Sequence, residues 1–125
     1  MRDFFAISVG SILGANSRYW TNRLAIRCLG PVFPYGTLAI NVAGSLILGF
    51  FMAWSVGRLL PDSRWRLVVA VGFCGGYTTF SSYAFESIAL AQRGQWVLAG
   101  TNLLSNNLLS LVAVLVGMGL ARSFG

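Results

Sequence analysis

The sequence predicts an all-α membrane protein with four transmembrane helices, the third broken near its middle. Three observations carry this. Of its 125 residues 56% are hydrophobic and only 10% charged, with a mean hydropathy of +0.71, far from the balance of a soluble domain. The few charges leave uncharged runs at 4–17, 28–57, 67–85 and 94–121, and ~20 helical residues cross ~30 Å of hydrocarbon. The third run contains a glycine- and hydroxyl-rich block from Gly72 to Tyr83. Chain that leaves the helix at membrane depth is tolerated only where it is buried in protein or lines a polar cavity.

The spans are expected at about 4–24, 36–56, 65–91 and 95–121, within a single transmembrane domain covering 1–125. The first needs to continue past Arg18 to reach a spanning length. A signal peptide would also explain it, but no small-x-small cleavage site follows. Cys28 and Cys74 suit neither a disulfide framework nor a metal site. The net charge of +6 comes from nine arginines, no lysine and three acids. Eight of those arginines flank spans, where they serve topology and headgroup contact, so no nucleic-acid partner is expected.

With four spans, both termini and the loop between spans two and three share one side. That side holds Arg2, Arg58, Arg64, Arg66 and Arg122; the other holds Arg23, Arg27 and Arg93, plus Arg18 if it snorkels outward. So weak a bias predicts insertion both ways and an antiparallel, dual-topology homodimer, against the plainer reading of one orientation set by Arg64 and Arg66.

Span one carries Gly10 and Gly14, a small-xxx-small face for close helix approach. Arg18 near its end is either snorkelled to the interface or paired inside the protein. Breakers at Gly30, Pro31 and Pro34 start span two near Gly36. Its Thr37, Asn41 and Ser45, four apart, form one stripe. Interhelical glue and function are equally good readings of Thr37 and Ser45. Asn41 differs, because a carboxamide near mid-span is hard to leave unpaired and offers an anion two N–H donors.

A turn is expected at Leu60 to Ser63. In span three Gly72, Gly75 and Gly76 weaken the helix, and hydroxyls from Thr78 to Ser82 are placed to satisfy groups so freed, whose carbonyls suit a cation such as Na⁺. Phe80 and Tyr83 follow, three apart, then Glu86, the one carboxylate in any span. Span four is the most polar. Asn102, Asn106 and Ser110 repeat every four residues with Ser105 beside them and Asn107 off the face, and so polar a face should not look onto lipid. Ala113 and Gly117 make a second small pair.

These residues hold no catalytic constellation: there is no histidine, no side-chain metal cluster and no serine with a nearby base, so an enzyme is not expected. Neutral hydroxyl and amide donors suit a small hard anion, because they replace its hydration shell without a fixed charge that would trap it. Aromatic ring edges add a weak positive contact.

The block Gly72-Phe73-Cys74-Gly75-Gly76-Tyr77-Thr78-Thr79-Phe80-Ser81, with Asn41 preceded by Gly36-Thr37 and followed by Gly44, resembles the small bacterial Fluc (CrcB-type) fluoride channels over essentially the whole chain, including Arg18 and Ser110. The resemblance implies a multi-pass protein of the cell inner membrane, an antiparallel homodimer with two fluoride pores, passively exporting fluoride that entered as HF. It also implies a structural Na⁺ at the centre of the dimer, held by the backbone carbonyls of Gly75 and Thr78. Asn41 and Phe80 match pore-lining positions, Ser110 a polar track in span four, and Thr37 the corresponding position in span two. Asn106 and Tyr83 join them as pore candidates, although Tyr83 departs from the phenylalanine usual in the family. The alternative is a small proton-coupled dual-topology exporter of the small multidrug resistance type, which needs a titratable carboxylate deep in span one, where this chain has none. A non-transporting assembly subunit would leave donors on two helices and a broken third unexplained.

Overall fold

The computed structural model describes residues 1–56, 58 and 64–125, and all regular structure among them is helical. The turn expected at Leu60 to Ser63 lies outside the described residues. Helix α1 is Arg2–Leu29. It runs past residue 24 because nothing between Leu24 and Leu29 breaks a helix; Gly30, at φ 81°, then supplies the left-handed residue that ends it, its amide bonding back to the Ile26 carbonyl at 3.0 Å. Pro31 and Pro34 keep the chain non-helical up to α2, Tyr35–Val56.

The third helical segment is divided. Its first half, α3, covers residues 64–77: a short α-helical start at Arg64–Arg66, wider π-helical turns over Leu67–Cys74, and a last α-turn at Gly75–Tyr77. Thr78 is extended, at φ −76° and ψ 158°. The second half, α4, is Ser81–Gln92, and a turn through Gly94, at φ 76°, leads into α5, Trp96–Ser123.

Helices α2 and α5 are long and apolar enough to cross a membrane, yet only 28% and 17% of their most apolar windows are buried. A soluble protein's core helix would be mostly buried, so this apolar surface faces hydrocarbon or another chain. The two pack through small residues. A methyl at Gly49 would meet the Val114 backbone, its Cα at 2.9 Å, and one at Gly117 would meet the Phe50 amide at 2.7 Å. Ala113 and Ala121 are buried along the same helix. Such backbone-to-backbone approach is how helices associate where lipid offers no hydrophobic drive.

The second close pair is α1 with α3. Added methyls at Gly10 and Gly14 would run into the carbonyls of Val68 and Phe73, and at Gly72 and Gly76 into those of Ile7 at 2.7 Å and Ser11 at 2.9 Å. Gly72, Gly75 and Gly76 were expected to weaken span three, within a block from Gly72 to Tyr83, and the structure places the interruption inside that block but not at the glycines. All three are helical, two of them serve close packing, and the interruption falls later, at Thr78 to Phe80.

Candidate functional site

The break is held open from another helix. The Asn41 carboxamide grips the Thr79 peptide unit from both sides: its Oδ1 accepts the Thr79 amide at 2.9 Å and its Nδ2 donates to the Thr79 carbonyl at 3.0 Å. In an uninterrupted helix the Thr79 amide would serve the Gly75 carbonyl four residues earlier. One turn on, the Ser82 amide would serve the Thr78 carbonyl, but it donates to the Thr79 hydroxyl at 3.2 Å. Two side-chain oxygens thus take the amides that would have closed the helix, and the carbonyls of Gly75 and Thr78 lose those donors. Gly75 also faces open space, with no atom within 4 Å of an added Cβ. Main-chain carbonyls that have lost their helical donors are ligands of the kind a hard cation takes. No cluster of three metal-binding side chains exists among the described residues.

Asn41 therefore differs from the sequence reading in one respect. Its two N–H groups, expected to be free for an anion, are both in use, since Nδ2 also donates to Asn106 Oδ1 at 2.9 Å. From there the carboxamides form a chain. Asn106 Nδ2 donates to Asn102 Oδ1 at 2.9 Å, Asn102 Nδ2 to the Ser87 hydroxyl at 2.9 Å, and Ser87 to the Tyr83 carbonyl at 2.8 Å. Asn102 is fully buried. The polar face of α5 accordingly looks inward onto α2 and α4, where each amide satisfies the next.

Beside this chain lies a cleft of about 380 Å³, which brings together Asn41, Phe80, Tyr83, Asn106 and Ser110 with Ser45, Thr78, Thr79 and Asn107. None of the residues lining it is charged. The Phe80 and Tyr83 rings stand 5.4 Å apart and tilted by 59°. Tyr83 is buried, whereas Phe80 is 78% exposed, a large ring left without cover in the protomer. Ser110 Oγ is shielded from outside yet has no hydrogen-bond partner among the described residues. Asn107, which the angular reading set off the polar face, borders the cleft and donates to the Tyr83 hydroxyl at 2.8 Å. Tyr83, a residue long enough to reach across from α4, was the only signal in the sequence for that contact.

Thr37 is not in this cleft. It is buried and donates to Glu86 Oε1 at 2.9 Å, in a second cavity of about 320 Å³ that also holds Arg18, Ser81 and Ser82. Arg18 makes no ion pair with Glu86 there; it lines the cavity half-buried, between the two alternatives of snorkelling and internal pairing. Thr79 lines both cavities, so the broken segment is the wall they share.

The sequence matches the family model described as CrcB-like protein, Camphor Resistance (CrcB), over residues 5–118. It is 47% identical over 123 residues to the fluoride-specific ion channel FluC of Koribacter versatilis, with 98% of each chain covered. It is 43% identical over 122 residues to the protein of that name from a Sulfurihydrogenibium species, again with 98% of each covered. A third, from Paramagnetospirillum magneticum, is 40% identical over 119 residues, covering 94% of this chain and 93% of its own. With both the family model and these relatives aligned along nearly the full length, the chain belongs to the CrcB-like family.

Proposed function

We propose that the chain forms a fluoride-selective channel through which fluoride leaves the cell passively across the bacterial inner membrane. The observation that carries this is its alignment, at 47% and 43% identity and over 98% of each chain, with proteins named as fluoride-specific ion channels. The cleft has the chemistry that such an ion requires. An unpartnered Ser110 hydroxyl, carboxamides and two aromatic rings replace water around a small hard anion, and the absence of a lining charge lets it leave again. An anion reaching Asn41 competes for the N–H that now serves Asn106, while the other contacts of Asn41 keep Phe80 beyond the end of α3. Thr37 takes part from the far side of the shared wall, together with Glu86 and Arg18.

The working unit in this reading is an antiparallel homodimer of four-span protomers. Arginines distributed almost evenly over the two sides support dual topology, and the uncovered Phe80 ring supports a second copy over the cleft. Where two copies meet at Gly75, the carbonyls of Gly75 and Thr78 from each would hold a Na⁺. That ion would offset the field of converging C=O dipoles. Fluoride efflux from proteoliposomes of the purified protein tests the function. Efflux should proceed without a pH difference and without matching chloride efflux. Equal passage of chloride overturns the selectivity, and strict dependence on a proton gradient overturns passive conduction in favour of a coupled exporter.

A further inference from the structure

Asn107 and Tyr83 form a contact that stands apart from the chain of carboxamides running from Asn41 to Ser87. A helix carbonyl can only accept, so the Asn107 side-chain atom 2.7 Å from the Leu103 carbonyl has to be Nδ2. That same nitrogen lies 2.8 Å from the Tyr83 hydroxyl. Both protons of the amide are thereby assigned, and the tyrosine oxygen is the acceptor. The phenol's own proton then has to go elsewhere. No other side chain or carbonyl among the described residues takes it, and Tyr83 lines the cleft.

We propose that Asn107 is a positioning residue that makes the Tyr83 hydroxyl a fixed donor into the cleft, adding to the fluoride path an O–H that selects for a small, strongly hydrogen-bond-accepting anion. This rests on the channel reading and on the cleft being the path. A phenol free to rotate donates and accepts by turns, and presents a lone pair to an anion part of the time. Fixing its lone pair on Asn107 removes that repulsive state. A thiocyanate- or nitrate-like ion, large and a poor acceptor, gains little from such a donor, so the effect falls on discrimination as well as on rate.

The test is a double-substitution cycle on fluoride efflux from proteoliposomes, with inhibition of efflux by external thiocyanate as a second readout. Tyr83→Phe and Asn107→Ala should each slow efflux about five-fold, the factor for one ordinary hydrogen bond, and each should make thiocyanate a better inhibitor. Together they should be no slower than Tyr83→Phe alone, because Asn107 acts only through the hydroxyl. Multiplying effects, an Asn107→Ala variant as fast as the parent, or slowing with no change in thiocyanate inhibition would each overturn the proposal. Asn41→Ala, run alongside, separates the two levels. If Asn41→Ala abolishes efflux while Asn107→Ala changes nothing, the positioning role falls and the cleft remains the path; if Asn41→Ala leaves efflux intact, the path lies elsewhere and both fall.

Discussion

Replacing Asn41 with alanine removes three hydrogen bonds at once: those to the Thr79 amide, the Thr79 carbonyl and Asn106 Oδ1. Interhelical hydrogen bonds in membranes average ~0.6 kcal/mol and reach ~1.7, so the direct loss is about 2 kcal/mol and at most about 5. A Thr79 amide left unserved in a dry site would cost several kcal/mol. The cheaper response is for that amide to return to the Gly75 carbonyl, continuing α3 through the break. Each residue added in helical geometry turns the next by about 100°, which swings Phe80 out of the cleft. Asn41→Ala should therefore remain folded, yet lose fluoride efflux by far more than ten-fold. Isotope-labelled Gly75 reports the cause, since its carbonyl resonance moves when it gains a hydrogen bond. Asn41→Asp keeps an acceptor for the Thr79 amide but loses both donations, so it should lose efflux while leaving the Gly75 resonance near its parent position. Normal efflux in Asn41→Ala, or lost efflux with an unmoved Gly75 resonance, would refute the reasoning that Asn41 holds the break.

Three further outcomes are expected. Thr78→Ala should retain Na⁺ binding because the proposed site offers main-chain oxygens, whereas Gly75→Val, harmless within a protomer where Gly75 faces open space, should abolish the proposed dimer and its Na⁺-dependent stability; a stable Gly75→Val dimer would place the contact elsewhere. A run of lysines added at the C-terminus should force one orientation and silence efflux until an oppositely biased copy is coexpressed, and full activity of the biased chain alone would rule out the antiparallel arrangement. Ser110→Ala, which removes a hydroxyl with no partner among the described residues, should slow efflux without lowering thermal stability; a loss of stability with unchanged efflux would make Ser110 structural.

The helices and their small-residue contacts were legible because each depends on local pattern. Uncharged runs mark the segments, and Gly10, Gly14, Ala113 and Gly117 mark where backbones meet. The inward face of α5 was legible for the same reason, since Asn102, Asn106 and Ser110 recur at helical spacing. The position of the break was not. The block from Gly72 to Tyr83 contains it, but its glycines pointed to 72–76, where close packing on α1 holds Gly72 and Gly76 in helical turns. The interruption at Thr78 depends instead on a side chain 38 residues away in sequence, and no local preference reports that. Thr37 and Glu86 likewise meet across 49 residues, and the Asn107 contact with Tyr83 depends on a phenol's reach rather than on angular position.

That dependence on distant partners bears on how such a site works. A helix broken by its own glycines would be loose, and its carbonyls would wander between α-turns and neighbours. Here the Asn41 carboxamide imitates a peptide unit, accepting from Thr79 N–H and donating to Thr79 C=O, so the chain leaves the helix at one defined residue. The amide taken by Asn41 is the one Gly75 would have received, and the same carboxamide borders the cleft and anchors the chain through Asn106, Asn102 and Ser87. One side chain thus links the proposed cation site to the proposed anion path. An anion that accepts from Asn41 Nδ2 in place of Asn106 leaves the carboxamide seated on Thr79 and so keeps the Thr79 amide away from the Gly75 carbonyl, and a cation on that carbonyl in turn favours the open break. The two ions should accordingly support each other's binding, with equal coupling in either direction. Fluoride should tighten Na⁺ binding in the parent protein, and the coupling should vanish in Asn41→Ala even where residual Na⁺ binding persists; coupling retained without the carboxamide would mean that another element carries it.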